Sequence, residues 1–117
     1  MPPSIGDIFR VRVRYADDPT QFKDRPVVIL AISDDRVTAI TAQLTSQDPG
    51  DPPSYYDQFK FPVTNWRASG LDQASWVKTA PENLIELKLS SLRSYIGRMH
   101  PQDLDKLFVF IENHTTQ

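Results

Sequence analysis

The sequence predicts a small, mainly β domain, a strongly bent sheet or barrel carrying one C-terminal helix. Three observations predict it: strand-like runs are short and broken by irregular loops, residues 8–15 alternate with period two, and only the tail has a clear helical period. An open flat sheet of this size would bury too little apolar surface and leave two exposed edges. At 117 residues the chain suits one domain, residues 1–117, with a modest core. No repeat, low-complexity tract or interdomain linker divides it.

Each element follows from local chemistry. "IFRVRVRY" sets Phe9, Val11, Val13 and Tyr15 on one face and Arg10, Arg12 and Arg14 on the other, a half-buried strand. The polar "ADDPTQFKD" connects it to "RPVVILAIS", an apolar run without alternation that reads as a central strand beginning near Val27. Pro26 is tolerated there only at the strand's first position or at an edge. After the "SDD" turn, Arg36 to Leu44 is rich in β-branched residues and predicts a third strand, hairpinned to the second. Pro49, Gly50, Pro52 and Pro53 end it. "QFKFPV" and "SWVKT" predict two further short strands, and "ENLIELK" fits either a sixth strand or a helical turn. Pro101 suits a first helical position, Asp103 and Asp105 suit the positive end, and Leu104, Leu107, Phe108 and Ile111 fall at helical spacing. That stripe should pack on the sheet.

Composition narrows the chemistry. Without cysteine there are no disulfides, thiol nucleophiles or Cys-based zinc sites, and a reducing compartment fits. The start lacks a basic region followed by an apolar run, and no stretch approaches the ~18 apolar residues of a membrane helix, so a cytoplasmic location without membrane contact is expected. A net charge of −2 and a pI near 5.6 mean that any nucleic-acid binding must use a local patch. There is no Gly-rich phosphate loop, no HExxH and no carboxylate spacing of a known calcium loop, so neither metal nor cofactor is expected. His100 and His114 flank the tail helix without a spaced partner.

Arg25 and Thr41 are the candidates for chemistry. Arg25 reads either as a strand-leading cation paired with a carboxylate such as Asp24, or as a rigidly held planar fork suited to a phosphate. Thr41 reads either as an ordinary β-branched strand residue or, sharing a face with Ala39 and Gln43, as part of a small polar groove floor. Arg10, Arg12 and Arg14, with Lys23, form either a basic stripe for an RNA backbone or a solvated sheet face. Tyr56, Trp66 and Arg67 either stack on bases or cap the core or a dimer contact.

"GDIF", "RPVVIL", "VTAITAQLTS", "ASGLDQASWV" and "IGRMHPQDLDKL" occur in the order and at gaps similar to those of the MazF/PemK-like toxins of type II toxin–antitoxin systems, over nearly the whole chain. The resemblance implies an SH3-like β-barrel of the MazF/PemK/CcdB kind and a homodimeric, metal-independent endoribonuclease. It would cut single-stranded mRNA, leave a 2′,3′-cyclic phosphate and a 5′-hydroxyl, and be neutralised by a cognate antitoxin protein. It places the family's catalytic arginine on Arg25 and its threonine on Thr41. Some members carry a histidine or acidic group in the loop before the arginine, whereas this loop offers Asp17, Asp18, Lys23 and Asp24. A further acidic position falls on Thr79 or Ala80, with Glu82 nearby.

On that reading Arg25 neutralises charge gathering on the phosphorus, worth on the order of 3 kcal/mol. It is a poor base, its neutral fraction near pH 7 being about one part in 10⁵ or less. The alternatives are a noncatalytic SH3-like module that binds an antitoxin or another protein, and a gyrase inhibitor similar to the toxin CcdB.

Overall fold

The computed structural model describes residues 2–14 and 20–115. Seven strands, β1 (Asp7–Arg14), β2 (Phe22–Ile32), β3 (Thr38–Thr45), β4 (Lys60–Pro62), β5 (Trp76–Lys78), β6 (Leu84–Lys88) and β7 (Tyr95–Arg98), precede the helix α1 (Pro101–Thr115). The pairings are antiparallel in the order β4-β5-β3-β2-β1-β7, with β6 also on β3. The sheet is strongly bent but, among the described residues, does not close into a ring of paired strands. Short 3₁₀ segments at 55–59, 81–83 and 89–91 fill the connections. No helix among the described residues is long and apolar enough to cross a membrane.

Bending comes from bulges. Ile29 faces Thr41 while Ala31 faces Ile40, so Leu30 is an extra residue that kinks β2, and a second shift lies between Ile8 and Phe9 opposite β7. The curl buries both faces of the central strands. Val28, Ala42, Leu44 and Val77 join Ile8, Met99 and Leu107 in the core under α1, while Val11, Val27, Ile29 and Thr41, of the opposite parity, are also buried.

β2 starts earlier than the sequence predicts, so Asp24, Arg25 and Pro26 lie inside it rather than before it. Pro26 pairs with Arg10, whose own N–H and carbonyl bond Ser94 and Arg93 on the opposite side. Proline therefore removes no bond to β1, and pairing with β3 ends at Val27↔Gln43. "ENLIELK" resolves into a 3₁₀ turn at 81–83 and then β6.

β7 has no counterpart in the sequence prediction. It passes against the 69–70 turn so closely that a Cβ on Gly97 would lie 2.2 Å from the Ser69 carbonyl oxygen, and one on Gly70, at φ +89°, would lie 2.6 Å from that of Ile96. The helix is rotated slightly from the predicted stripe. Leu104, Leu107, Phe110 and Ile111 meet the core, and Phe108 is 38% exposed. Aromatic partners decide this, since Phe110 stacks at 5.4 Å from Phe61 and at 4.4 Å from His114. Asp103, also buried, accepts the Asn65 N–H at 2.8 Å and ties the helix start to the 64–71 turn.

Candidate functional site

The site forms where β3 forks. Its far edge pairs with β6 over residues 38–42 and with β5 over residues 44–45, and the branches separate around Gln43. A cleft of about 570 Å³ opens there, lined by Thr45, Lys60, Lys78, Glu82 and Asn83 and walled by Gly50, Ser54, Tyr56 and Asp57. A second cleft of about 330 Å³ lies at the start of β2, lined by Arg10, Lys23 and Arg25 but also by Asp24 and Asp72. Thr45 belongs to both, so the two hollows meet at the end of β3.

Three cations border this junction. Lys60 and Lys78 are directly opposed across β4 and β5. The Lys78 ammonium is pushed below its ordinary pKa by burial first, then by the charges of Arg25 and Lys60, with Glu82 opposing weakly. Lys60 pairs with Asp57 at 3.0 Å. Arg25 is half-buried, and among the described residues neither it nor Lys78 makes an ion pair. Asp57 is held well below the usual carboxylate range by N–H donation from Gly50 and Ser54 and then by Lys60. A fork and an ammonium in no ion pair among the described residues, at the junction of two clefts, suit a bound anion with spread charge.

The structure brings some of the sequence candidates together and separates others. Arg10, Lys23 and Arg25 share the smaller cleft, and Tyr56, 58% exposed, walls the larger. The expected open groove floor of Thr41 and Gln43 does not form. Thr41 is 0% exposed and its Oγ1 donates to the Ile85 carbonyl at 3.0 Å, while Gln43 is 8% exposed and lines neither cleft. The curl of the sheet turns that face inward, and β6 takes up the Thr41 hydroxyl.

Arg12 is drawn away as well. It lies 3.8 Å from Asp24 and 4.0 Å over the Phe22 ring, beside a separate hollow with Ser90 and Arg93. Trp66 packs against the core, with Arg67 stacked on it at 4.8 Å, in a shallow depression distinct from both clefts. Tyr15, Asp17, Asp18 and the side chain of Arg14 lie outside the described residues. Among the described residues no group of three or more His, Asp or Glu is placed to hold a metal ion.

Lys60 and Lys78 are absent from the sequence candidates. Their signal is the alternation of "KFP" and "WVK", which sets each lysine opposite in parity to a core residue, Phe61 and Val77, but the pairing that opposes them is not written in either run.

No protein-family model matches the sequence, and no curated protein matches it. Solved structures do match over nearly the full length. An endoribonuclease from mycobacterial species superposes with a TM-score of 0.70 at 14% identity, covering 99% of this chain and 93% of the other. The Mycobacterium tuberculosis toxin MazF-mt6 gives 0.67 at 23% identity, covering 94% and 96%. The fold is that of the MazF toxins. A mycobacterial endoribonuclease solved in complex with its cognate antitoxin shares the MazF fold too, at TM-score 0.68, 16% identity and 98% and 94% coverage. Identities this low establish the MazF architecture, and function depends on the site built upon it.

Proposed function

We propose that the protein is a metal-independent endoribonuclease toxin that cuts single-stranded mRNA and is neutralised by a cognate antitoxin. The observation that carries the reading is the pair Arg25 and Lys78, two cations in no ion pair among the described residues, with Glu82 only weakly offsetting Lys78, at the junction of two clefts. The fold supports it, being shared with two proteins described as endoribonucleases, one of them bound to an antitoxin.

In this reading an RNA strand lies across the end of β3 with one phosphodiester at the junction. The neighbouring 2′-hydroxyl gives its proton to solvent as its oxygen attacks phosphorus in line, and the bond to the 5′-oxygen breaks, leaving a cyclic phosphate and a 5′-hydroxyl. Arg25 balances charge on the non-bridging oxygens with its planar fork. Lys78 donates the proton that the departing 5′-oxygen needs, a task suited to an amine whose pKa is lowered towards the working range. Tyr56 offers a face for a base, and Arg10, Lys23 and Lys60 offer backbone contacts. A homodimer belongs to the same reading, and an antitoxin carboxylate would pair with Arg25 or Lys78, although the linings of the two clefts hold as many acidic as basic side chains.

The deciding experiment maps 5′-hydroxyl ends on a long transcript incubated with the purified protein in EDTA. Discrete new ends with cyclic-phosphate partners are expected. Burial of the Thr41 hydroxyl favours the second reading, a noncatalytic module that binds a protein partner. An intact transcript, with the folded protein still capturing an antitoxin peptide, would establish that reading instead.

A further inference from the structure

We propose that Asp57 is a positioning residue that selects which RNA sequences are cut, by holding the wall of the larger cleft in one shape; this rests on the endoribonuclease reading above. The wall has little else to hold it. Residues 46–56 are all exposed, and no strand pairing supports the chain between the end of β3 and the start of β4. Ordering backbone costs about 1–2 kcal/mol per residue, and this segment buries no apolar side chain to offset that cost. Pro49, Pro52 and Pro53 restrict the unfolded chain but fix no particular wall geometry.

What ties the segment across its length is one polar knot, beside the Tyr55–Phe59 and Phe59–His114 ring contacts at its end. Oδ2 of Asp57 accepts the N–H of Gly50 at 2.9 Å and of Ser54 at 2.8 Å, while Oδ1 pairs with the Lys60 ammonium at 3.0 Å. Lys60 also donates to the Gln47 carbonyl at 3.3 Å. Residues 47, 50, 54, 57 and 60 are thereby joined through two side chains that are only 8% and 12% exposed although the segment around them is open to solvent. Charge-assisted bonds of this kind are stronger than neutral ones. The wall they set includes Gly50, Pro52, Ser54 and Tyr56, all of which line the cleft. A base entering the cleft is accepted or refused according to whether its edge meets those residues.

Asp57 spends its carboxylate on the segment and so acts through it, whereas Arg25 and Lys78 stand on β2 and β5 and take no bond from Asp57; Lys60 alone is common to the knot and the junction. Loosening the knot should therefore blur selection while the chemistry persists.

The test compares wild type, Asp57→Ala and Asp57→Asn on one long defined transcript in EDTA, counting 5′-hydroxyl ends at every position, with circular dichroism to show that each protein is folded. Asp57→Ala is expected to cut still, with the ratio of preferred to other sites reduced roughly tenfold or more. Asp57→Asn keeps an acceptor oxygen for the two N–H groups but loses the charge facing Lys60, and should fall between. A structural role alone would lower all sites together, so an unchanged ranking in folded Asp57→Ala overturns the proposal. Should the alanine variant not fold, an unchanged ranking in Asp57→Asn overturns it equally. A wild type that cuts no RNA removes the endoribonuclease reading and this one with it, whereas a cutting wild type beside an unaltered variant removes only the role of Asp57.

Discussion

Replacing Arg25 by alanine separates chemistry from fold. The side chain is half-buried and forms no ion pair among the described residues, and its strand pairing with Val11 is made by backbone that the substitution leaves in place. Only the packing of its aliphatic stem is lost, so the cost in stability should be about 1 kcal/mol or less. On the proposed reaction the same change removes a preorganised charge donor, worth about 2.7–4 kcal/mol, or ~10²–10³ in kcat. Arg25→Lys keeps the charge without the fork and should lie between. A second readout comes from Lys78, whose pKa Arg25 helps to depress. A proton donor works only while protonated, so activity falls as pH rises through its pKa. With Arg25 gone that pKa rises, and the alkaline limb of the residual activity moves to higher pH. Initial rates on a short labelled RNA across pH, beside urea denaturation, measure both effects. An alanine variant that stays folded and cuts within about threefold of wild type would refute the assignment.

Two further substitutions divide the site. Thr41→Val keeps shape but removes the hydroxyl donated to the part-buried Ile85 carbonyl, so it should lower stability by about 0.5–1.5 kcal/mol while the rate per folded molecule, measured on the same RNA, is unchanged. Lys78→Ala should lower the rate by ~10²–10⁴, and an RNA with a 5′-sulfur leaving group, which departs without a proton, should restore most of it; an equal deficit on both substrates would remove Lys78 as the donor.

Much of the architecture could be read from particular residues. Arginine alternation gave β1, the apolar run after Pro26 gave the core of β2, and Pro101 with its spaced leucines gave α1. β7 was not legible, because its four residues include a glycine placed there by contact with a turn 27 positions earlier, which no local pattern encodes. The face of α1 was off by the Phe108/Phe110 choice, which rests on aromatic partners from β4 and the helix end. Arg25 was legible as a charge at a rigid strand, but its neighbours were not. Lys60 and Lys78 reach it only through the pairing of short strands, and Thr41 turned inward because the sheet curls, a global property that period two does not contain.

The fork at the end of β3 has a consequence for how such a protein can change. A ribbon that splits must leave a gap between its branches, so strand connectivity opens the hollow and the segments around it shape its wall. Those segments are then at liberty to differ in length and composition without filling the hollow or displacing the cations rooted in the strands. Ligand preference can drift in one part of the chain while the reactive end of the cavity stays where the ribbon divides.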